Sequence, residues 1–153
     1  YAPAGRHLTV LSGNFAPGGC LMKTSGRDIG HWSGPARCFD SQQAIKDALQ
    51  KGLIKKGEAV IARYLGPKGA PGMPEVVIPH VYMGSQGLAL ECPFITDGRF
   101  SGTNHGICIA HVVPEAAEGG PIANVKDGDI LHIRHKERTL LLEVTPQELA
   151  ARG

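Results

Sequence analysis

The chain has 153 residues, enough for one domain with a core of its own, and its net charge of +2, with no basic cluster or aromatic ladder, gives nucleic acid nothing to bind. Hydrophobic residues at 42% are too many for a disordered chain, so the 21 glycines and 11 prolines read as tight turns and backbone-lined loops. Apolar runs such as Val76–Ile78 and Leu140–Leu142 are far too short for a membrane span, and Tyr1–Arg6 carries no apolar signal core, so a cytoplasmic protein is expected.

Leu8–Leu11 is a short apolar run stopped by Ser12-Gly13-Asn14, which predicts a strand and a turn. Pro17-Gly18-Gly19 turns the chain again before a second short run, Cys20–Met22. Thr24–Pro35 is polar and contains the single tryptophan, Trp32, so a loop is expected there. A helix follows: Asp40 is placed to cap it with Gln43 in the capping-box position, Ala44, Ile45, Ala48 and Leu49 share a face, and Gly52 supplies a left-handed stop. Ala59–Tyr64 predicts a strand rich in branched residues. Val76–Met83 is apolar but interrupted by Pro79, and a helix beginning after Pro74 is weighed there. Leu88–Thr96 reads as a strand entering the loop Asp97–Gly106.

The last third is the most clearly patterned. Asp127-Gly128-Asp129 makes a turn, Ile130–Arg134 alternates, the polar tip His135–Arg138 follows, and Thr139–Val144 returns as the second arm of a hairpin. Thr145 and Pro146 then start a short helix that runs to Arg152. Short strands with a few helices predict a β-rich α+β domain, barrel-like, formed by residues 1–153 as one unit without repeat or linker.

Two loops have the composition to carry chemistry. Gly66-Pro-Lys-Gly-Ala-Pro-Gly-Met-Pro-Glu75 packs three glycines and three prolines into ten residues. A backbone this turned and this rigid can present Lys68 and Glu75 to a ligand at little entropic cost. No Gly-Lys-Ser/Thr follows, so it is not a Walker loop. Composition alone leaves a rigid connection with two solvated charges equally open. Asp97-Gly-Arg-Phe-Ser-Gly-Thr-Asn-His-Gly106 brings Ser101, Thr103, Asn104 and His105 within five positions. Exposed backbone N–H groups and hydroxyls suit an oxygen-rich anion or a nucleophile or base; an Asp/Gly/Ser turn is the plainer alternative.

His105-x-x-Cys108-x-x-His111, near Cys92, has ligand types that suit zinc. Ile107–Val113 is apolar, however, and residues three apart in a strand point to opposite faces, so a core thiol and two hydrogen-bonded histidines fit better. Cys20, Cys38, Cys92 and Cys108 show no C-x-x-C spacing, which predicts reduced, mostly buried thiols. No second acid stands near Ser101 to support a Ser-His-Asp triad.

Taken together, Ser12-Gly-Asn-Phe-Ala-Pro17, Gly34-Pro-Ala-Arg-Cys-Phe-Asp40, Gly66–Glu75, Thr96–Thr103 and Pro114-Glu-Ala-Ala-Glu-Gly-Gly-Pro-Ile122 resemble the C-terminal part of the dihydroxy-acid and phosphogluconate dehydratase superfamily, in the family order and across nearly the whole chain. The resemblance implies a hydro-lyase that converts a 2,3-dihydroxy carboxylate to a 2-keto acid. It implies a swivelling β/β/α, barrel-like domain that closes over a site shared with an N-terminal domain holding an Fe–S cluster. By the same resemblance Ser101 is the base, Thr103 a neighbouring active-site hydroxyl and Glu75 a ligand of Mg²⁺; Lys68, Asn104 and His105 are substrate-binding candidates from the composition of their loops. None of the four cysteines falls in a cluster motif, so the cluster and the N-terminal partner belong outside this sequence, the domain alone is expected to be inactive, and the full-length enzyme is expected to be a homo-oligomer.

Ser101-Gly102-Thr103 resembles the sugar-acid branch, since the branched-chain enzymes usually carry an extra glycine before the threonine. An aldonic acid such as a pentonate (xylonate, for example) is therefore the expected substrate, with the dihydroxy-methyl acids of valine and isoleucine synthesis as the alternative. A reading of another class is a non-catalytic packing or oligomerisation domain, using the hairpin or the Asp40–Lys51 helix. Gathering of Glu75, Ser101 and Thr103 at one open concave face would separate the two.

Overall fold

A computed structural model of the chain describes residues 8–23, 30–73, 87, 91–100 and 106–152. Among these, eight strands form one sheet: β1 (Leu8–Leu11), β2 (Gly19–Lys23), β3 (His31–Phe39), β4 (Ala59–Ala62), β5 (Phe94–Thr96), β6 (Cys108–Val113), β7 (Ile130–Arg134) and β8 (Thr139–Leu142). Their order is β1-β2-β6-β5-β4-β3-β7-β8. The middle four, β6-β5-β4-β3, run parallel, and the outer pairs are antiparallel. Helices α1 (Gln42–Gln50), α2 (Pro121–Asn124) and α3 (Pro146–Arg152) flank the sheet. The barrel-like, β-rich α+β architecture is the one expected from the sequence.

The sheet comes close to closing on itself through the turn after β1. Ser12 bridges Thr139 of β8, with Ser12 N–H donating to the Arg138 carbonyl and Leu140 N–H donating to that of Ser12. Asn14 then imitates a strand: its amide nitrogen donates to the Leu142 carbonyl and its amide oxygen accepts from the Leu142 N–H, both at 2.7 Å. Gly13 stands against the Leu140 carbonyl, where a Cβ would collide, and its φ of 148° is one that other residues rarely adopt.

Two cores explain the uninterrupted apolar strands. Ala59 and Ile61 of β4 face the barrel interior with Phe15, Met22, Ile109 and Leu131. Val60 and Ala62, on the other face, pack with Ile45, Ala48 and Leu49 of α1. A strand buried on both faces loses its alternation, which is why β4 reads as a continuous run. Phe15, wholly buried, is worth about 1.5–3 kcal/mol against an exposed position.

The structure departs from the sequence expectations in three places. β3 begins at His31, inside the expected loop, because Pro35 sits where the strand changes partner: His31–Pro35 pair with β7 and Ala36–Phe39 with β4. A proline at that junction costs no interior ladder bond, and β3 shows no clean alternation to betray it. The helix cap is Ser41, whose hydroxyl accepts from the Ala44 N–H at 3.1 Å, while Asp40 is taken by the Arg63 guanidinium at 2.8 Å. β5 covers only Phe94–Thr96, shorter than expected; Leu88–Leu90 and the segment after Pro74 lie outside the described residues. The hairpin of β7 and β8 and the Thr145-capped α3 stand as expected.

Arg152 fastens α3 to the body through Asp129, at 2.6 Å and 3.3 Å. Burial pushes the Asp129 carboxyl up, but the Arg152 hydrogen bond, the Lys126 backbone N–H and the two positive charges outweigh it and hold the group below its ordinary 3.8. A carboxyl lowered in the folded state favours folding above its ordinary value, and that contribution disappears as pH falls through the lowered one. Urea midpoints of the protein and of Asp129→Asn should therefore differ at neutral pH and converge in strong acid; a gap that stays constant with pH would exclude the linkage. Asn14→Ala should cost about 1–3 kcal/mol, because the Leu142 N–H and C=O lose their partner together. Urea denaturation checks this, and an unchanged midpoint would show that the closure is dispensable.

Candidate active site

Parallel strands end on the same side, and ligands gather at the carboxyl ends of such strands. β4, β5 and β6 are parallel neighbours, so the two loops singled out in the sequence leave the sheet side by side. Gly66–Met73 follows β4, and Asp97–Phe100 follows β5. A third segment, Pro114–Gly120, follows β6 after a cis Val113–Pro114 bond.

Two buried carboxylates tie these three segments together. Asp97, 2% exposed, accepts from Leu65 N–H at 3.0 Å on one oxygen, and from Tyr64 N–H at 3.2 Å and Ala116 N–H at 2.9 Å on the other. Glu115, 8% exposed, accepts from Lys68 N–H at 3.1 and 3.0 Å and from Gly69 N–H at 3.1 Å. Gly66 and Gly98 make room: a side chain at the first would meet the Glu115 carboxylate, and one at the second would meet Leu65. Further bonds close the cluster. Gly98 donates to the Thr96 hydroxyl and accepts from the His111 N–H, while the Arg99 guanidinium donates to the Met73 carbonyl. Phe100 packs edge-on against Phe94, with ring centroids 5.4 Å apart.

A cleft of about 170 Å³ opens between these segments, lined by Pro67, Met73, Asp97, His111, Val112, Val113, Glu115 and Glu118. Tyr64, Met73 and His111 around it hold left-handed backbone, with φ of 63°, 44° and 54°. Such conformations cost energy outside glycine and collect at working sites. A wider hollow of about 400 Å³ lies at the other side, by Gly30, His31, Arg134, Lys136 and Glu137, and none of those residues belongs to either loop.

Of the residues singled out in the sequence, Glu75, Ser101, Thr103, Asn104 and His105 lie outside the described residues. The stems that carry them do not. Arg99 stands two positions before Ser101 and Met73 two before Glu75, and the bond between Arg99 and Met73 joins the loops at that point. Lys68 points away from bare presentation: its ammonium is 2.7 Å from Glu118, whose hydrogen bond and charge raise its pKa. Asp97 and Glu115 are functional candidates not singled out as site residues in the sequence, and His111, weighed there only for zinc, joins them on the cleft. The signal for the two acids was position, Asp97 directly after β5 and Glu115 two residues after β6.

Among the described residues no three His, Cys, Asp or Glu side chains gather to hold a metal. None of the four cysteines is in a disulfide. Burial pushes the thiols of Cys20, Cys38 and Cys108 up to about 12 and that of Cys92 in the same direction. Protonated thiols that donate to carbonyls, as Cys20 does to Leu11 and Cys92 to Lys55, do not fit as ligands of an Fe–S cluster. Within β6 Cys108 is buried while His111 is exposed, so these two members of the zinc pattern do not turn to one ion; His105 lies outside the described residues. Among the described residues no helix is long and apolar enough to cross a membrane.

Comparison with known proteins places this geometry. Residues 1–153 match the family described as dihydroxy-acid/6-phosphogluconate dehydratase C-terminal. A dihydroxy-acid dehydratase of Cytophaga hutchinsonii is 44% identical over 146 residues, covering 95% of this chain and 26% of its own. The proteins named dihydroxy-acid dehydratase pbrD, mitochondrial, of Penicillium brasilianum and astD, mitochondrial, of Aspergillus terreus are each 47% identical over 152 residues, covering 98% of this chain and 25% of their own. The chain thus spans about a quarter of the length of these relatives. The thiol chemistry is directly testable. Iodoacetamide at about pH 8 should leave Cys20, Cys38 and Cys108 unmodified in the native protein and alkylate them in denaturant. Native labelling at any of the three would reveal an accessible thiolate.

Proposed function

Because the chain belongs to the dihydroxy-acid/6-phosphogluconate dehydratase C-terminal family, we propose that the whole protein is a hydro-lyase that dehydrates a 2,3-dihydroxy carboxylate to a 2-keto acid. The observation that carries this reading is the joining of the two loop stems, β4 to Met73 and β5 to Phe100, at one strand edge beside an open cleft. An N-terminal partner domain, a homo-oligomeric assembly and a reducing compartment such as the cytoplasm belong to the same proposal; the two fungal relatives carry the word mitochondrial in their names.

In this reaction Ser101, as alkoxide, takes the proton from C2. The C–H electron pair becomes the C2=C3 double bond as the C3 hydroxyl departs as hydroxide, and the proton on Ser101 joins it to give water and restores the alkoxide. The enol then gains a proton at C3 and loses its hydroxyl proton, leaving the 2-keto acid. Thr103 is the neighbouring hydroxyl, and Asn104, His105 and Lys68 are polar contacts for substrate oxygens. A serine hydroxyl is a poor base near neutrality, so a strong positive charge has to stand beside it. When bound, Mg²⁺ would supply that charge with Glu75 as one oxygen ligand, and an Fe–S cluster held outside this chain would supply Lewis acidity. The described residues do not make up either site by themselves.

The relatives named dihydroxy-acid dehydratase favour a dihydroxy acid of that class as substrate. The aldonate reading rests on Ser101-Gly102-Thr103 alone and is kept for that reason. Both are settled by assaying the whole protein, purified without oxygen, for 2-keto acid formation from dihydroxy-methyl acids and pentonates. Ser101→Ala should lower turnover by about 10²–10⁴-fold with the fold intact. Turnover that survives the substitution would remove Ser101 from the mechanism, and turnover of a pentonate alone would reverse the substrate order.

A further inference from the structure

We propose that Asp97 and Glu115 are positioning residues that make the three segments after β4, β5 and β6 move as one body, so that the residues carried by the first two loops keep a fixed relation. The proposal rests on the roles given above to Glu75 and Ser101, and adds what sets them relative to each other.

Both oxygens of each carboxylate already accept backbone N–H groups, and the acceptance geometry is spent on other segments rather than on their own turn. Asp97 starts the second loop, yet its partners are Tyr64 and Leu65 of the first and Ala116 of the third. Glu115 belongs to the third, yet its partners are Lys68 and Gly69 of the first. The strands do not need these bonds, because β4, β5 and β6 are already paired by their own ladders. What the bonds fix is the exit direction of each loop. Left-handed backbone at Tyr64, Met73 and His111 is held within the same cluster, which is the setting in which a fold over-determines a strained conformation. The Arg99 bond to Met73 carries the fixation to within two residues of Ser101 and of Glu75. Small misplacements are expensive at such a site, about 10²-fold for a shift near 1 Å.

The test uses Asp97→Asn and Glu115→Gln in the whole protein, singly and together, beside Ser101→Ala. Each amide keeps the shape but turns an N–H donor toward a backbone N–H. Folded single variants should lose about 10²-fold in kcat with KM changed little. The double variant should lose scarcely more than either, because both disturb one unit. A merely structural role would instead lower Tm additively and leave the kcat of the folded protein alone. Native hydrogen exchange gives a readout independent of activity. Glu115→Gln should speed exchange at Lys68 and Gly69 and also at Leu65 and Ala116, which bind Asp97. If Ser101→Ala is inactive while folded Asp97→Asn and Glu115→Gln turn over normally, the positioning role is wrong and the reading of Ser101 stands. If Ser101→Ala remains active, that reading falls and exchange alone decides: protection at Leu65 and Ala116 that survives Glu115→Gln overturns the coupling. Should Asp97→Asn not fold, Glu115→Gln, whose partners lie on an exposed turn, carries the same test.

Discussion

Where three parallel strands stop together, their outgoing chains leave backbone N–H groups with no ladder to join, and a buried N–H without a partner costs about 1–3 kcal/mol. This sheet meets that constraint with carboxylates. Asp97 and Glu115 absorb five N–H groups, those of buried Leu65 and Ala116 and those of Tyr64, Lys68 and Gly69 on exposed residues. Water could satisfy the exposed three, but water fixes nothing. A buried carboxylate satisfies them and sets their direction, since two or three N–H groups must converge on one small group. The glycines at 66 and 98 follow from the same requirement, because a Cβ at either would push the chain off its acceptor or neighbour. Much of what looks like loop composition here is the consequence of packing backbone around two acids.

The remainder of the fold is arranged so that this edge is rigid from below. β4 is buried on both faces, by the barrel interior and by α1, so the strand that feeds the first loop cannot tilt without opening two cores. Arg63, directly after β4, gathers the carbonyls of Ile122, Ala123 and Val125 as well as Asp40, which anchors α2 beneath the third segment. At the far side the sheet needs no such precision. There Ser12 and Asn14 bring the turn after β1 against β8, so that the sheet comes close to closing. Closure thus joins the two ends of the strand order, the site forms on its middle strands, and different residues handle each.

Local signals in the sequence were readable where one element decides its own structure. The β7–β8 hairpin, the Gly52 stop and the Thr145 cap depend on neighbours in sequence, and all three are as expected. β3 was missed because its form depends on partners far away: a strand that changes neighbour at Pro35 has no period of its own. Asp40 was taken as a cap because its type and place are right, and only the approach of Arg63, 23 residues on, diverts it to another role. The site shows the same division. Glycine and proline density marked the two loops, but Asp97 and Glu115 look like ordinary loop acids until the sheet order brings β4, β5 and β6 side by side. Five motif segments in family order carried the family, and several of their residues serve architecture: Asn14 ties the turn after β1 to β8, Pro35 stands where β3 changes partner, and Glu115 holds a turn.

Charge gives the last constraint on how such a site could work. The described wall of the cleft is acidic, with Asp97, Glu115 and Glu118 on it, and Lys68 beside it forms an exposed ion pair with Glu118. Such a pair can open toward a substrate oxygen, but one surface ammonium is a weak hold on a carboxylate. The attraction that holds an anion, and that lowers the pKa of a serine beside it, has to come from the positive side of the site. That is the work assigned above to a divalent ion with Glu75 among its ligands and to residues outside this chain. Read this way, the domain's contribution is spatial. On the proposal made above, it holds the stems of two loops so that their bases cannot drift apart, and the strong charges come from outside this chain.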